Sequence, residues 1–382
     1  MAEIKEMAEK IRQAERGETP DDAAGRAKAA KEKQERRGIA DEICKRIGNR
    51  TFEYTNRPCI IGAGSVAGEM EGQGPQAKWF DMILQDDSMG EETWEKSESK
   101  MFRTAVEYAL KDAGLHRRQI DAILCGDLLN QLMASSFMVR DLNIPFLGLY
   151  GACSTRTESM LVGGAMVDGG YCRNVLAGAS SHFSTAERQF RLPLEHGNQR
   201  DLTAQWTATA SGAVVISSER KSHICLTHAT IGRIVDPGIT DSNCMGAAMA
   251  PAAFDTIRNH LEDLGRTPKD YDLILTGDLG NVGRRILVDF SEQGSKLPEL
   301  KSVYDDCGSM IFDTSKQDVH SGGSGCGCSG SIIAGRICRQ MEEGKIRRAM
   351  LISTGALMST ISSQQGESIP GIAHAVTIEY MP

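Results

Sequence analysis

The chain has 382 residues, a net charge of −8 and a sequence pI near 5.6, a balance that offers no footing for a nucleic-acid groove. Forty glycines with only 5% aromatic and 25% charged residues suit a globular α/β chain rich in tight strand-to-helix turns. Eleven cysteines are scattered through a chain with no secretory leader and no run of about 18 apolar residues. Reduced thiols in a cytosol-like compartment, and no segment that spans a membrane by itself, are the corresponding expectations.

Residues 1–55 form a charged extension outside the core. Ile4, Met7 and Ile11 share a helical face, but Gly17, Pro20 and Gly25 interrupt it, so the segment reads as partly helical or disordered. The folded body is expected from Asn56, with Pro58 to Ile61 as its first strand. The following Gly62-Ala-Gly64 run has the wrong spacing for a dinucleotide loop and reads as a strand-end turn. Ser99 to Ala113 is an amphipathic helix closed by Gly114. Ala122 to Cys125 is a buried strand running into Gly126-Asp127, and Phe146 to Tyr150 is another, running into Gly151-Ala152-Cys153. Ser154 to Val167 is apolar on nearly all faces, the mark of a helix buried between sheets. Strand Val175 to Ala179 leads to a polar stretch, Ser180 to Thr207, and Ser211 to Ile216 closes the first half.

The second half repeats the plan. Asp121 to Asn130 returns as Asp272 to Asn281, identical at seven of ten places, and Gly151-Ala-Cys153-Ser154 is answered by Cys326-Gly-Cys328-Ser329. The interval between these landmarks is longer in the second copy, which therefore carries an insertion. Strands are expected at Ile224 to Val235, Leu273 to Thr276, Ala349 to Ser353 and Gly371 to Glu379, with helices over Ala247 to Leu264 and from the glycine turn 322–330 to about Glu343. Two large α/β copies, residues 56–220 and 221–382, point to a pseudo-twofold α/β protein and away from a solenoid.

Cys153 stands where a strand ends and a buried helix begins. Backbone N–H groups and the helix dipole stabilise a thiolate at such a place, so Cys153 is the candidate nucleophile if the protein is an enzyme. A small residue fitting a crowded turn is the plainer reading of the same cysteine. The duplicated halves and the Gly-Ala-Cys-Ser turn resemble the thiolase superfamily. More narrowly, Gly126 to Gln131, Gly151 to Thr155, Ser180 to His182, Thr185 to Arg191, Gly238 to Ser242, Met249 to Ala253, Leu261 to Thr267 and Ser368 to His374 resemble the stage V sporulation protein AD family.

That resemblance implies a thiolase-like fold, a layered αβαβα core with a pseudo-twofold axis, without condensing activity. It also implies binding of dipicolinic acid, free or as its calcium salt, in uptake and release by bacterial spores and in germination, alongside membrane channel proteins. The implied place is cytoplasmic or peripheral at the spore inner membrane. Homodimerisation through a sheet edge follows by analogy with thiolase-like folds. Condensing relatives carry a His in the turn matching Gly277-Asp278 and an Asn in the turn matching Gly323 to Cys328, and this chain has neither. Lacking those oxyanion donors, acyl-CoA condensation or acyl transfer through Cys153 is the alternative function.

For a dicarboxylate ligand the candidates are Cys153, the arginines Arg156, Arg188 and Arg191, and His182 at the end of the strand after the Cys helix. Asp127, Asn130 and His374 join them through the blocks that carry the resemblance. Asp127 and Asp278 read as acceptors for turn backbone groups, because the oxygen-rich cluster of a calcium site is missing. No resident cofactor or metal is expected; calcium would travel with the ligand. Cys326 and Cys328, with Cys307 and His320, read as packing in the glycine turn in preference to zinc ligation.

Overall fold

The structure is a computed structural model that describes residues 45–190, 200–219, 222–293, 297 and 299–382. The expected helical face of Ile4, Met7 and Ile11, and Arg191 in the polar stretch, lie outside the described residues.

Folding onto the core begins before Asn56. Strands β1 (Arg46–Ile47) and β2 (Thr51–Glu53) form a small antiparallel pair, and β2 lies against β10 (Ile224–Thr230). The carboxylate of Asp263 fixes this lead-in by accepting from the backbone N–H groups of Asn49, Arg50 and Thr51.

The first half then supplies β3 (Cys59–Ala67), β4 (Met82–Ile83), β5 (Ala122–Gly126), β6 (Phe146–Gly148), β7 (Asn174–Ser181), β8 (Trp206–Thr207) and β9 (Ala210–Ser217). The second supplies β10, β11 (Leu273–Thr276), β12 (Tyr304–Asp306), β13 (Gly323–Ser324), β14 (Arg348–Ala356) and β15 (Gly371–Tyr380). The main path across the sheet runs β12-β11-β14-β15-β10-β3-β9-β7-β5-β6. Read outward from the centre, each half has the same topology. Counting only the five strands of each half on that path, the first pairs antiparallel with the fifth, the fifth antiparallel with the fourth, the fourth parallel with the second, and the second parallel with the third. The duplication read from Asp121 to Asn130 is thus a duplication of strand order.

Helices complete the layers. The outer face of the first half carries α1 (Trp94–Asp112) and α2 (Met133–Leu142), and that of the second carries α5 (Met245–Leu264) and α6 (Gly280–Glu292). Between the sheets lie α3 (Thr155–Asp168) and α7 (Cys326–Ile332). α3 touches β5 and β7 of its own half and β14 and β15 of the other, and α7 touches β3, β7 and β9. Small residues make this middle layer possible: a Cβ on Gly212 of β9 would sit 1.9 Å from the carbonyl oxygen of Gly330 in α7. α7 continues through a π turn, Ile333–Ile337, into α8 (Cys338–Glu342). This is the five-layered αβαβα arrangement.

Two features differ from the expectations. The β10 strand stops at Thr230, short of Val235, because Gly232 leaves the ladder and donates its N–H to His374 Nδ1. The thiols are not all reduced: Cys59 and Cys225, directly opposite in β3 and β10 where the two halves meet, form a disulfide. Scattered cysteines gave no spacing signal for it, since its partners are 166 positions apart.

Candidate functional site around Cys153

Cys153 lies in the turn between β6 and α3, where Ala152 takes the left-handed conformation at φ 50°. A non-glycine residue held there stores strain, a pattern common at functional turns. The turn is pressed against the other half, since a Cβ on Gly355 of β14 would lie 2.2 Å from the carbonyl oxygen of Gly151. Cys153 is 9% exposed and packs with Leu128, Ala179, Ala186 and Cys326, with Phe190 at the margin and Tyr150, 47% exposed, close enough to feel its charge.

The start of α3 favours a thiolate, and the surroundings of Cys153 push the other way. Burial is the first cause, and the carboxylate of Asp278 the second, of a thiol pKa well above its ordinary value. Cys153 hydrogen-bonds to Asp278, which also accepts from Thr354 Oγ1 at 2.7 Å and Gly325 N at 2.8 Å. Burial lifts the Asp278 pKa to about 7 against those three contacts. The dipole of α3 is outweighed, because removing a thiolate from water beside a carboxylate costs more than a helix terminus returns.

Asp127, the repeat equivalent of Asp278, does what its turn position suggested. Its two oxygens accept from Leu129 N at 2.8 Å and Ser135 N at 2.7 Å. Sequence reasoning missed its neighbour Glu98 on α1. This carboxyl is buried, accepts from Ser180 Oγ at 2.9 Å and Thr185 Oγ1 at 2.7 Å, and has its pKa raised by burial and then by Asp127. A carboxylate three and four residues before Met101 and Phe102, inside an apolar helical stripe, was the available signal. The thiol of Cys326, which donates to Ser180 O at 2.8 Å, lies within the field of Glu98, Asp127 and Asp278. The site floor is therefore acidic and dominated by protonatable groups.

The remaining candidates divide. His182 has both ring nitrogens occupied: Nε2 donates to Asp87 O and Nδ1 accepts from Ser184 N, each at 3.1 Å, and burial lowers its pKa. It caps α4 (Phe183–Phe190), a helix in a stretch that sequence reading left as polar chain. On α4, Ala186 and Phe190 face Cys153, whereas Arg188 pairs with Glu95 of α1. Arg156 is fully buried, with Nη1 donating to Ala177 O at 2.9 Å. Asn130 is exposed at a kink where Gln131 and Leu132 both have positive φ. His374 is tied to Gly232 N, and burial lowers its pKa to about 4. The structure thus gathers Cys153 with Asp278, Cys326, Tyr150 and Phe190, and commits His182, Arg188, Arg156 and His374 to other contacts.

Cys307, Cys326 and Cys328 are buried, while His320 is engaged by Asp201 O and Asp318. Among the described residues no group of three or more His, Cys, Asp or Glu is placed to hold a metal ion, and no helix is long and apolar enough to cross a membrane.

Among solved structures, 3-oxoacyl-[acyl-carrier-protein] synthase III of Aquifex aeolicus is similar over 85% of this chain and all of its own, at 17% identity and a TM-score of 0.53. Human mitochondrial 3-ketoacyl-CoA thiolase, solved with CoA, is similar over 86% of this chain and 99% of its own, at 13% identity and a TM-score of 0.55. These likenesses show the thiolase-like fold. Closer kinship appears in sequence: Stage V sporulation protein AD of Bacillus subtilis (strain 168) is 45% identical over 335 residues, spanning 88% of this chain and 98% of that protein. The family model for Stage V sporulation protein AD matches residues 48–379. With its duplicated strand order and its Cys turn inside that span, the chain belongs to the stage V sporulation protein AD family.

Proposed function

We propose that this sporulation protein is a non-catalytic thiolase-fold binder of dipicolinic acid, which it handles with membrane channel partners during uptake and release in the spore. The observation that carries the non-catalytic part is the Cys153–Asp278 contact. Burial and the Asp278 carboxylate raise the thiol pKa, and the His and Asn of condensing relatives are missing from the turns matching Gly277-Asp278 and Gly323 to Cys328, so no imidazole stands there to take the proton. Leu128 and Phe190 in the Cys153 cluster, with half-exposed Tyr150 beside it, are apolar and aromatic groups of the kind that take a planar ring. With Arg156 and Arg188 committed to other contacts, a ligand that arrives with its own cation, the calcium complex, is the better match.

Two further parts of the reading rest on the fold. Among the described residues the outer edge of β6 is unpaired and carries exposed Leu147, which supports a homodimer built through that edge. A location at the inner membrane of the spore would come through partner proteins.

The test is equilibrium binding of dipicolinate, with and without calcium, to wild type and to Tyr150→Ala and Phe190→Ala, with isophthalate as control. We expect selective binding of the calcium complex, weakened about tenfold by either substitution. Equal binding of isophthalate, or none of either compound, overturns the reading. The acyl-transfer alternative is checked by intact mass after incubation with acetyl-CoA, where stoichiometric acylation lost in Cys153→Ser would establish an enzyme.

A further inference from the structure

Sharing no residue with the surroundings of Cys153, α1, β3 and α8 enclose a cleft of about 390 Å3 whose polar wall is made by Asp81, Tyr108, Lys111, Asp112, Arg339 and Glu342. We propose that this cleft binds a small zwitterion carrying both a carboxylate and a primary ammonium, the chemistry of an amino acid or a short peptide.

The cleft exists because β3 lacks a neighbour along part of one edge. β3 is registered with β10 at Cys59 and with β4 from Val66, leaving the residues between without a strand on that side. Side chains stand in: Ala63 N donates to Asp112 Oδ2 at 2.9 Å, and Ser65 N donates to Asp81 Oδ2 at 2.8 Å. Arg339 is held in turn by Asp81 and by Trp79 O at 3.1 Å. Asp81, Asp112 and Arg339 are thereby used in closing the fold.

Lys111 and Glu342 are not used this way. Both are exposed at the mouth of the cleft, and neither side chain makes a hydrogen bond or ion pair within the described residues. An ammonium and a carboxylate that line one cleft without neutralising each other suit a ligand with the opposite charges, similarly separated.

Two independent features mark the same place. The π turn Ile333–Ile337 brings Ala334, Cys338, Arg339 and Glu342 to the cleft, and π turns inside helices recur at functional sites. Beneath Cys338 lies Arg156, completely buried, whose Nε and Nη2 make no hydrogen bond and whose charge acts on the Cys338 thiol. The lining itself carries two cations, Lys111 and Arg339, and three acids, Asp81, Asp112 and Glu342. The match is a ligand that brings an ammonium as well as a carboxylate to this mixed lining.

The experiment is calorimetric titration of the full chain with L-leucine and with alanylalanine, each compared with its N-acetyl and carboxamide forms. Wild type should bind at least one parent compound about tenfold more tightly than either derivative. Lys111→Met should abolish discrimination between carboxylate and amide, and Glu342→Gln discrimination between ammonium and N-acetyl, with thermal melts confirming that both variants fold. No binding of either parent, or derivatives that bind as well as the parents, overturns the proposal; the wild-type comparison alone decides this if a variant is unstable.

Discussion

A buried acid keeps its proton when no cation faces it, and the first half of this protein is built on that rule. Glu71 is fully buried and accepts from Thr209 N at 3.0 Å, while its second oxygen has no partner. Burial is the main cause of a pKa raised to about 8, with Asp87 adding to it. The folded state holds this proton more tightly than the unfolded chain does. The resulting stabilisation is complete below the ordinary carboxyl pKa and is lost as pH climbs toward about 8. Thermal melts should therefore show stability falling from about pH 5 to pH 8, and Glu71→Gln should remove about 1 kcal/mol per pH unit of that slope. An unchanged slope would mean that Glu71 is ionised when folded. At this scale the sequence was a partial guide. Cys153, Asp127 and Asp278 were found from the repeat, but the environment that inverts the thiol chemistry comes from the opposite half, out of reach of local spacing. The contacts of the arginines were hidden for a related reason: a lone cation in sequence carries no sign of the acid or carbonyl beside it, as Glu95 pairs with Arg188 and Ala177 O accepts from Arg156.

Elements were more legible than side chains. The apolar run of α3 and the buried strands β5, β7, β11 and β14 follow directly from residue pattern, because continuous burial needs continuous apolarity. The α4 helix escaped notice, its amphipathic face being one turn of Ala186 and Phe190 among charged residues. The β6 edge is another element whose sequence gives a strand but not its exposure. Leu147 and Tyr150 are 46% and 47% exposed there, and Met133 at the start of α2 is 39% exposed. If a second copy covers this edge, Leu147→Arg should convert a dimer to a monomer at micromolar concentration in sedimentation velocity, with the melting temperature of the subunit little changed. A wild-type protein that sediments as a monomer would remove the homodimer from the proposed function.

For the whole molecule, the join between the duplicated halves is the Cys59–Cys225 bond. It closes a loop containing nearly all of the first half, so its loss should cost about 2–4 kcal/mol. Non-reducing peptide mapping should recover the cross-linked pair, and melts with and without reductant should differ accordingly; free thiols at both positions would leave the join to packing alone.

The outer ends of the long sheet are unlike. At one, β6 offers bare backbone beside exposed leucine and tyrosine. At the other, β12, as short as β6, has Asp305 paired to Arg284 and Asp306 turned inward to cap Leu279, Gly280 and Ser309. Fibre growth by strand addition requires two receptive ends, and this sheet presents one. Whatever meets β6 uses it up, so assembly along that axis ends after a single step.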